Sequence, residues 1–252
     1  MKGFDRPLKP EWIYNVIQEI EIGDKISDHK EDLHNLIWEL EGKDGKRKVI
    51  TVLSRYYLKT HDNSKGKVVE DVPIIHIAKK YPLESIEPLL LYQLLFRSPM
   101  LRTLTKMIKD IYGHDNPINY TFLRKKVIEK FGEKDISARS IRNLISTLVS
   151  FGLLEKKGKE YIWTRKTTLD ELNFCLFLKL YSEEFKKSPQ INLDDLEDYL
   201  FLYYDLPDVN TIAKKYNSVL WEYSIRLGQK VVTFHDQFFW DSETLIKVFK
   251  KI

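Results

Sequence analysis

The sequence predicts a mainly α-helical protein with short β-hairpins in its middle and near its C-terminus. Glycine and proline are sparse, with 10 and 9 among 252 residues, and apolar residues recur mostly at helical spacing. The hydrophobic share of 43% is enough for one large core or two to three small ones. We therefore expect regular structure along most of the chain, in three regions that span residues 1–67, 68–166 and 167–252.

The N-terminal region is predicted to hold three short helices before a polar linker. Pro10 suits the first turn of a helix to Ile20. Further helices are predicted over Asp28–Leu40 and Val49–Lys59, where apolar residues repeat every three or four positions. The segment Thr60–Lys67 is polar and rich in turn formers, so it sets the predicted boundary near residue 67.

The middle region carries the strongest sequence signals for where helices begin and end. An apolar helix is predicted over Glu84–Arg97, and Ser98-Pro99 starts another that ends at Gly113. Asn119 is the predicted N-cap of a helix over Tyr120–Phe131. Ser137 is the predicted N-cap of the next, over Ala138–Phe151, after which two short strands surround a Lys157-Gly158 turn.

The C-terminal region is predicted to mix helices and strands. Helices are expected over Thr168–Phe185, Leu193–Tyr204 and Val209–Tyr216, and a β-hairpin over Leu220–Phe234 precedes a last helix at residues 242–250. A helix at 193–204 cannot bury Tyr199, Phe201 and Tyr203 on one face. This acidic, aromatic region is therefore expected to contact a protein partner or a second copy of the chain.

Positive charge is concentrated in residues 119–166. This segment has twelve basic and five acidic residues, a net charge of +7, whereas the whole chain carries only +4. Lysine and arginine that replace the counterions of DNA phosphates supply affinity for any sequence. The segment is therefore the best candidate for a DNA-binding surface.

The stretch from Ser137 through Ile141, Leu144 and Leu148 to the Lys157-Gly158 turn resembles winged helix-turn-helix domains over residues 119–163. The resemblance implies that the Ser137 helix enters the major groove of duplex DNA and that the hairpin is the wing. The DNA-binding residues it implies are Arg124, Lys125, Lys126, Ser137, Arg139, Ser140, Arg142, Asn143, Ser146, Lys156, Lys157 and Lys159. The alternative is a solvated helix face, or a winged helix that contacts a protein partner in a scaffold.

A looser resemblance covers about residues 85–252. The run Leu89–Arg102, the glycine-ended helix that leads to Leu154 and the aromatic-rich tail are similar to the small winged-helix subunit of BREX phage-defence systems. This implies a non-enzymatic, duplex-DNA-binding component that works beside larger proteins. A transcription regulator is the other role in which such a domain is expected.

A second basic cluster occupies residues 43–67, with eight basic and two acidic residues. Lys46, Arg47 and Lys48 stand at a predicted helix start, where cations oppose the helix dipole, so helix stability does not explain them. They are predicted as a second DNA contact. The alternative is a solvated loop.

The sequence favours a protein that is not an enzyme and needs no metal or cofactor. It has no phosphate-binding glycine loop and no Gly-x-Ser-x-Gly motif. The single cysteine, Cys175, lies in an apolar helical run, excludes an intrachain disulfide and fits a reducing compartment. The longest apolar run, Leu89–Phe96, is too short to cross a bilayer. We expect a cytoplasmic protein without a membrane association.

Overall fold

A computed structural model describes residues 3–63, 66–132 and 135–234 and divides the chain into two units, residues 1–166 and 167–252. The fold is mainly α-helical with four small sheets in the described ranges, which confirms the predicted class at that level. Within the same ranges no helix has the length and apolar character needed to span a membrane.

Three helices open the first unit. They are α1 (Pro10–Glu19), α2 (Lys30–Leu36) and α3 (Lys43–Leu53), and α3 continues into a π-helical turn at Ser54–Leu58. Pro10 begins α1, as predicted, because its fixed backbone angle suits the first turn and no amide donor is required there. One face of α1 is buried and packs against the helices that follow, α4 (Pro73–Lys80) and α5 (Leu83–Arg97).

The predicted linker at Thr60–Lys67 is wrong. The segment contributes to an antiparallel hairpin of β1 (Thr60–Asn63) and β2 (Gly66–Val69). Its strands are held to the fold because the amide of Gly23 donates to the carbonyl of Val69, and the amide of Val69 donates to Asp24 (3.0 and 2.9 Å). Residues 1–67 and 68–166 consequently belong to one unit.

Helices α5 and α6 (Pro99–Tyr112) form the centre of this unit. Helix α5 is buried on nearly every side, and its central polar residue, Gln93, donates to the carbonyl of Tyr56 (3.3 Å). Helix α6 starts as predicted, with the side chain of Ser98 accepting from the amide of Leu101 (3.3 Å). It ends at Gly113, where φ is 60°, a value that glycine adopts without strain.

The basic segment folds into two helices and a three-stranded sheet. Its elements are β3 (Ile118–Asn119), α7 (Tyr120–Phe131), α8 (Asp135–Ser150), β4 (Leu154–Lys157) and β5 (Glu160–Trp163), and the strand order is β3-β5-β4. Asn119 caps α7 as predicted, since its side chain accepts from the amide of Phe122 (3.0 Å). Ser137 lies inside the first turn of α8 and is buried, so its prediction as the N-cap is wrong.

The second unit combines short helices with two small sheets. Its elements are β6 (Thr167–Thr168), α9 (Glu171–Leu180), a π-helical turn (Tyr181–Lys186), β7 (Gln190–Asn192), two 3-10 turns (Leu193–Asp195 and Asp198–Leu202), β8 (Tyr204–Asp205), α10 (Val209–Lys215), β9 (Trp221–Arg226) and β10 (Gln229–Phe234). Strands β7, β10 and β9 form one sheet, and β6 pairs with β8 in the other. The helix predicted at 242–250 lies outside the described residues.

The predicted helix at Leu193–Tyr204 is wrong. The expectation that its aromatic residues could not all pack inward, which rested on that helix, is wrong as well. The side chain of Asn192 accepts a hydrogen bond from the amide of Asp194 (3.1 Å), and residues 193–202 form two 3-10 turns in place of an α-helix. In this irregular segment Tyr199 and Tyr203 are buried, and Phe201 packs edge-on against Phe177 at 5.6 Å. The aromatic residues fill the unit's own core, which removes the reason for which they were predicted to face a partner.

Candidate nucleic-acid interface

Helix α8 has one apolar face and two separate polar stripes. Ile141, Leu144, Ile145 and Leu148 are buried in the core of the first unit. We call Ser140, Asn143 and Thr147 the strap-facing stripe, and Arg139, Arg142 and Ser146 the outer stripe. Both stripes follow the helical spacing of three and four residues, and their surroundings differ.

The strap-facing stripe binds the backbone of residues 3–9, which we call the N-terminal strap. Ser140 Oγ accepts the amide of Phe4 (2.9 Å), Asn143 Nδ2 donates to the carbonyl of Phe4 (2.7 Å), and Thr147 Oγ1 accepts the amide of Leu8 (3.0 Å). Ser140, Asn143 and Thr147 are all at most 4% exposed. The prediction that Asn143 and Ser140 face DNA is therefore wrong, because the strap covers them.

Apolar and ionic contacts hold the strap in place. Phe4 and Leu8 are fully buried, and the ring of Phe4 packs edge-on against Tyr56 at 6.1 Å. Arg55 donates to the carbonyl of Gly3 (3.3 Å) and lies 3.6 Å from the carboxylate of Asp5. The strap is thus an integral part of the first unit.

The outer stripe of α8 is open to solvent. Arg139 and Arg142 are exposed and Ser146 is half-buried. The guanidinium of Arg139 lies 3.8 Å from the carboxylate of Asp135, a long ion pair whose acidic side chain is 99% exposed, so it contributes little. Arg142 forms no ion pair with any residue in the described ranges.

Helix α7 adds three exposed cations, Arg124, Lys125 and Lys130. None of the three has an ion-pair partner in the part of the chain that the structure describes. Lys126 differs, because it donates to Glu129 at 2.8 Å and its ammonium lies 5.6 Å from the centre of the Phe122 ring. Among the described residues, Arg124, Lys125 and Lys130 are therefore the cations of this helix without an ion pair, and Lys126 already pairs with Glu129.

Arginines from both helices converge on one tyrosine. A shallow groove of about 320 Å³ is lined by Tyr120, Arg124, Asp135, Ala138, Arg139 and Arg142. Burial raises the pKa of Tyr120, and the positive charges of Arg124 and Arg142, which line the same groove, oppose that rise. The groove consequently presents several hydrogen-bond donors and one carboxylate to solvent.

The hairpin β4–β5 reaches the same tyrosine. Tyr161 packs edge-on against Tyr120 at 6.4 Å, and Lys156 lies directly opposite Tyr161 in the strand register. Opposed residues share one side of a hairpin, so Lys156 lies on the side that faces Tyr120. Lys157 is 3.9 Å from Glu155, while Lys159 and Lys156 are exposed and form no ion pair among the described residues.

Compared with known proteins, the chain matches no family model, no curated protein and no solved structure. What the interface can bind must therefore be argued from its own residues.

The three residues of the second predicted DNA contact have different environments. They are Lys46, Arg47 and Lys48. All three lie in α3, and Lys46 is half-buried, with its ammonium donating to the carbonyl of His34 (2.9 Å). Arg47 pairs with Asp44 at 3.2 Å, and Lys48 is exposed. Lys46 thus supports the fold, which contradicts its prediction as a free phosphate contact.

Sequence reasoning missed Tyr120 and the strap. Tyr120 had a local signal, because it follows directly on the Asn119 cap and so lies at the start of α7. The strap had none, because its contacts with α8 join residues more than 130 positions apart. Cys175 is buried in α9 and burial raises the pKa of its thiol, so it offers no reactive thiolate.

Proposed function

We propose that the protein binds duplex DNA without catalysing a reaction, chiefly through phosphates. The observation that supports this most strongly is the convergence of Arg124 and Arg142, from two helices, on the groove beside Tyr120, where neither forms an ion pair with a described residue. Unpaired arginines in a shallow groove are suited to phosphate oxygens, which their planar donors bind in pairs.

The element order supports a winged helix as the framework of this activity. The chain runs through three helices, α6, α7 and α8, and then through the β4–β5 hairpin. Strand β3 completes the sheet. In that arrangement α8 is the recognition helix, its outer stripe faces the major groove, and the hairpin lysines contact the backbone. We name Arg124, Lys125, Arg139, Arg142, Lys156, Lys157 and Lys159 together the basic face.

The basic face favours modest sequence preference. Asn143, which would read adenine, is buried and bound to Phe4. Arg139 and Arg142 remain the only residues of the predicted DNA-reading set on α8 whose side chains are exposed. Phosphate contacts from the basic face give affinity for many sequences, and guanine contacts through Arg139 or Arg142 add only limited discrimination among them.

The test is binding to a fluorescent random-sequence duplex of about 30 base pairs at low salt. The wild type should bind with a Kd of about 1 µM or tighter. A variant with Arg124→Ala, Arg139→Ala and Arg142→Ala should bind at least tenfold more weakly. The matched control is Lys106→Ala, an exposed lysine of α6 outside the basic face, which should change Kd by less than twofold.

Site selection from a random library separates the two biological roles. A single discrete sequence, bound far more tightly than the pool, supports a transcription regulator. Broad recovery of sequences supports a subunit that positions larger proteins on DNA, as the resemblance to BREX subunits implies. Failure of the wild type to bind any duplex at low salt would overturn the DNA proposal and leave a protein-interaction scaffold as the function to test.

A further inference from the structure

A second concave site lies in the first unit, away from α7 and α8. It is a pocket of about 520 Å³ enclosed by α2, α3, the π-helical turn at Ser54–Leu58 and the β1–β2 hairpin. Pockets of about 300–1,000 Å³ are typical of sites for small molecules. Its size therefore suits a ligand the size of a mononucleotide.

The pocket is lined by cations from several elements. Its five basic residues are Lys30, Arg47, Arg55, Lys59 and Lys67, and no carboxylate occurs among its described lining residues. Cations around a cavity attract an anion to the extent that neighbouring carboxylates do not neutralise them. The lining thus selects for a negatively charged ligand.

Neighbouring carboxylates neutralise three of the five cations from outside the cavity. Arg47 pairs with Asp44 at 3.2 Å, Arg55 with Asp5 at 3.6 Å, and Lys59 with Glu70 at 2.6 Å. Lys30 and Lys67 have no ion-pair partner in the described part of the chain. Two positive charges are therefore unmatched, and a phosphate monoester carries about −1.5 to −2 at neutral pH.

The floor of the pocket is apolar. Leu33 and Ile50 are buried, and Ile26 is half-buried beside them. The hydroxyl groups of Thr51 and Ser54 donate to the carbonyls of Arg47 and Ile50 (both 2.8 Å), so these two donors are already used, and the cationic side chains, with His34 and Thr60, line the pocket as donors to an anion. A ligand with a phosphate at one end and an apolar or aromatic body at the other matches both parts of the lining.

Backbone hydrogen bonds hold two walls of the pocket together. The amide of Ile26 donates to the carbonyl of Lys67 (3.4 Å), and the amide of Val69 donates to the carbonyl of Asp24 (2.9 Å). The loop before α2 and strand β2 therefore form one continuous wall. A site whose walls are bonded before binding loses less entropy when a ligand enters.

We propose that this pocket binds a small phosphate monoester of mononucleotide size, with the phosphate between Lys30 and Lys67 and the body of the ligand on the apolar floor at Ile26 and Ile50. The site is independent of DNA binding by the basic face. DNA also carries phosphates, but an apolar floor contributes nothing to contact with a duplex backbone.

The test uses the full chain and isothermal titration calorimetry with the four 5′-mononucleotides, their four nucleosides and inorganic phosphate as separate probes. At least one mononucleotide should bind saturably with a Kd below about 1 mM. Its nucleoside and inorganic phosphate should each bind at least tenfold more weakly, because each supplies only one part of the ligand. The absence of saturable binding by every mononucleotide would overturn the proposal.

Two variants locate the binding. Lys30→Ala with Lys67→Ala removes the unmatched charges from exposed positions, so Tm should hold while mononucleotide affinity falls at least tenfold. Lys48→Ala, an exposed lysine of α3 that does not line the pocket, should leave the affinity within twofold. Equal losses in both variants, or no loss in the pocket variant, would contradict the assignment.

Measuring both ligands with both variants separates the small-ligand site from the DNA-binding surface. The pocket variant should bind the 30-base-pair duplex as the wild type does, and the Arg142→Ala variant should bind the mononucleotide as the wild type does. If the pocket variant instead lost duplex binding as strongly as Arg142→Ala, the cations would belong to the DNA-binding surface, and the small-ligand proposal would be wrong.

Discussion

The two polar stripes of α8 have the same helical spacing and differ in what they contact. The strap-facing stripe, Ser140, Asn143 and Thr147, is buried and satisfies three backbone groups of the N-terminal strap. The outer stripe has two exposed arginines and a half-buried serine. In the sequence both stripes lie opposite the apolar face, so helical periodicity does not distinguish them.

This difference teaches that a polar helix face can be structural when a distant segment supplies unpaired backbone groups. An extended strap without strand partners must place its amides and carbonyls somewhere, since buried unpaired groups cost about 1–3 kcal/mol each. The strap-facing stripe meets that requirement for Phe4 and Leu8. The outer stripe binds no backbone group of the strap, and its exposed side chains are therefore available for a ligand.

The largest expected effect comes from removing the main anchor of the strap. Phe4→Ala deletes a fully buried ring and should lower the free energy of unfolding by about 3–5 kcal/mol. Thermal unfolding should report this as a fall in Tm of roughly 6–20 °C. Arg6→Ala, a half-buried strap residue, serves as the control and should have little effect; equal Tm values for the two variants would show that the strap does not stabilise the fold.

Asn143→Ala tests the strap-facing stripe itself. The carbonyl of Phe4 loses its donor and remains buried, so stability should fall by about 1–3 kcal/mol. DNA affinity, measured well below Tm, should stay within twofold of the wild type. A large loss of DNA binding with an unchanged Tm would return Asn143 to the DNA-reading role predicted from sequence.

Arg142→Ala should show the opposite behaviour. Its side chain is exposed and forms no ion pair in the described ranges, so the free energy of unfolding should change by less than about 0.5 kcal/mol. DNA affinity should fall about fivefold to tenfold, as measured by fluorescence anisotropy. Arg142→Lys keeps the charge but not the paired donors, so it should restore part of the affinity for every duplex if the contact is with phosphate, whereas a guanine contact would make the loss depend on the sequence of the duplex.

Ser146→Ala should produce the smallest change. Ser146 is half-buried at the far end of the outer stripe, and its carbonyl, which accepts from Ser150 (3.1 Å), is kept in the variant. We expect stability to change by less than about 0.5 kcal/mol and DNA affinity to change by less than twofold. A fivefold loss of DNA affinity would extend the basic face further along α8 than we propose.

The elements with strong local signals were predictable from sequence. The Asn119 cap, the glycines after α6 and α7 and the Lys157-Gly158 turn all act within a few residues, and the structure has α6, α7 and the β4–β5 hairpin where they indicate. The segment at 193–202 was not predictable in this way. Its apolar spacing suits a helix, yet Asn192 caps a 3-10 turn and the aromatic residues pack inward.

The candidate sites show the same limit more sharply. The arginines of the basic face were identified because charge excess and helical spacing are properties of neighbouring residues. The burial of Asn143 and the pocket that includes Lys30 and Lys67 depend on contacts between remote segments. Such contacts carry no signal in a single sequence, because each partner is an ordinary residue in its local context.

The most direct test of the central claim is the salt dependence of DNA binding by the wild type beside the Arg124→Ala, Arg139→Ala and Arg142→Ala variant. Each phosphate contact contributes about 0.9 to the slope of log affinity against log salt, so about four to six contacts predict a slope of roughly −4 to −5. In the variant the slope should be shallower by about 0.9 for each replaced arginine that contacts a phosphate, and so by up to about 2.7. Equal slopes for the two proteins, or no binding at low salt, would contradict the claim that the basic face binds DNA phosphates.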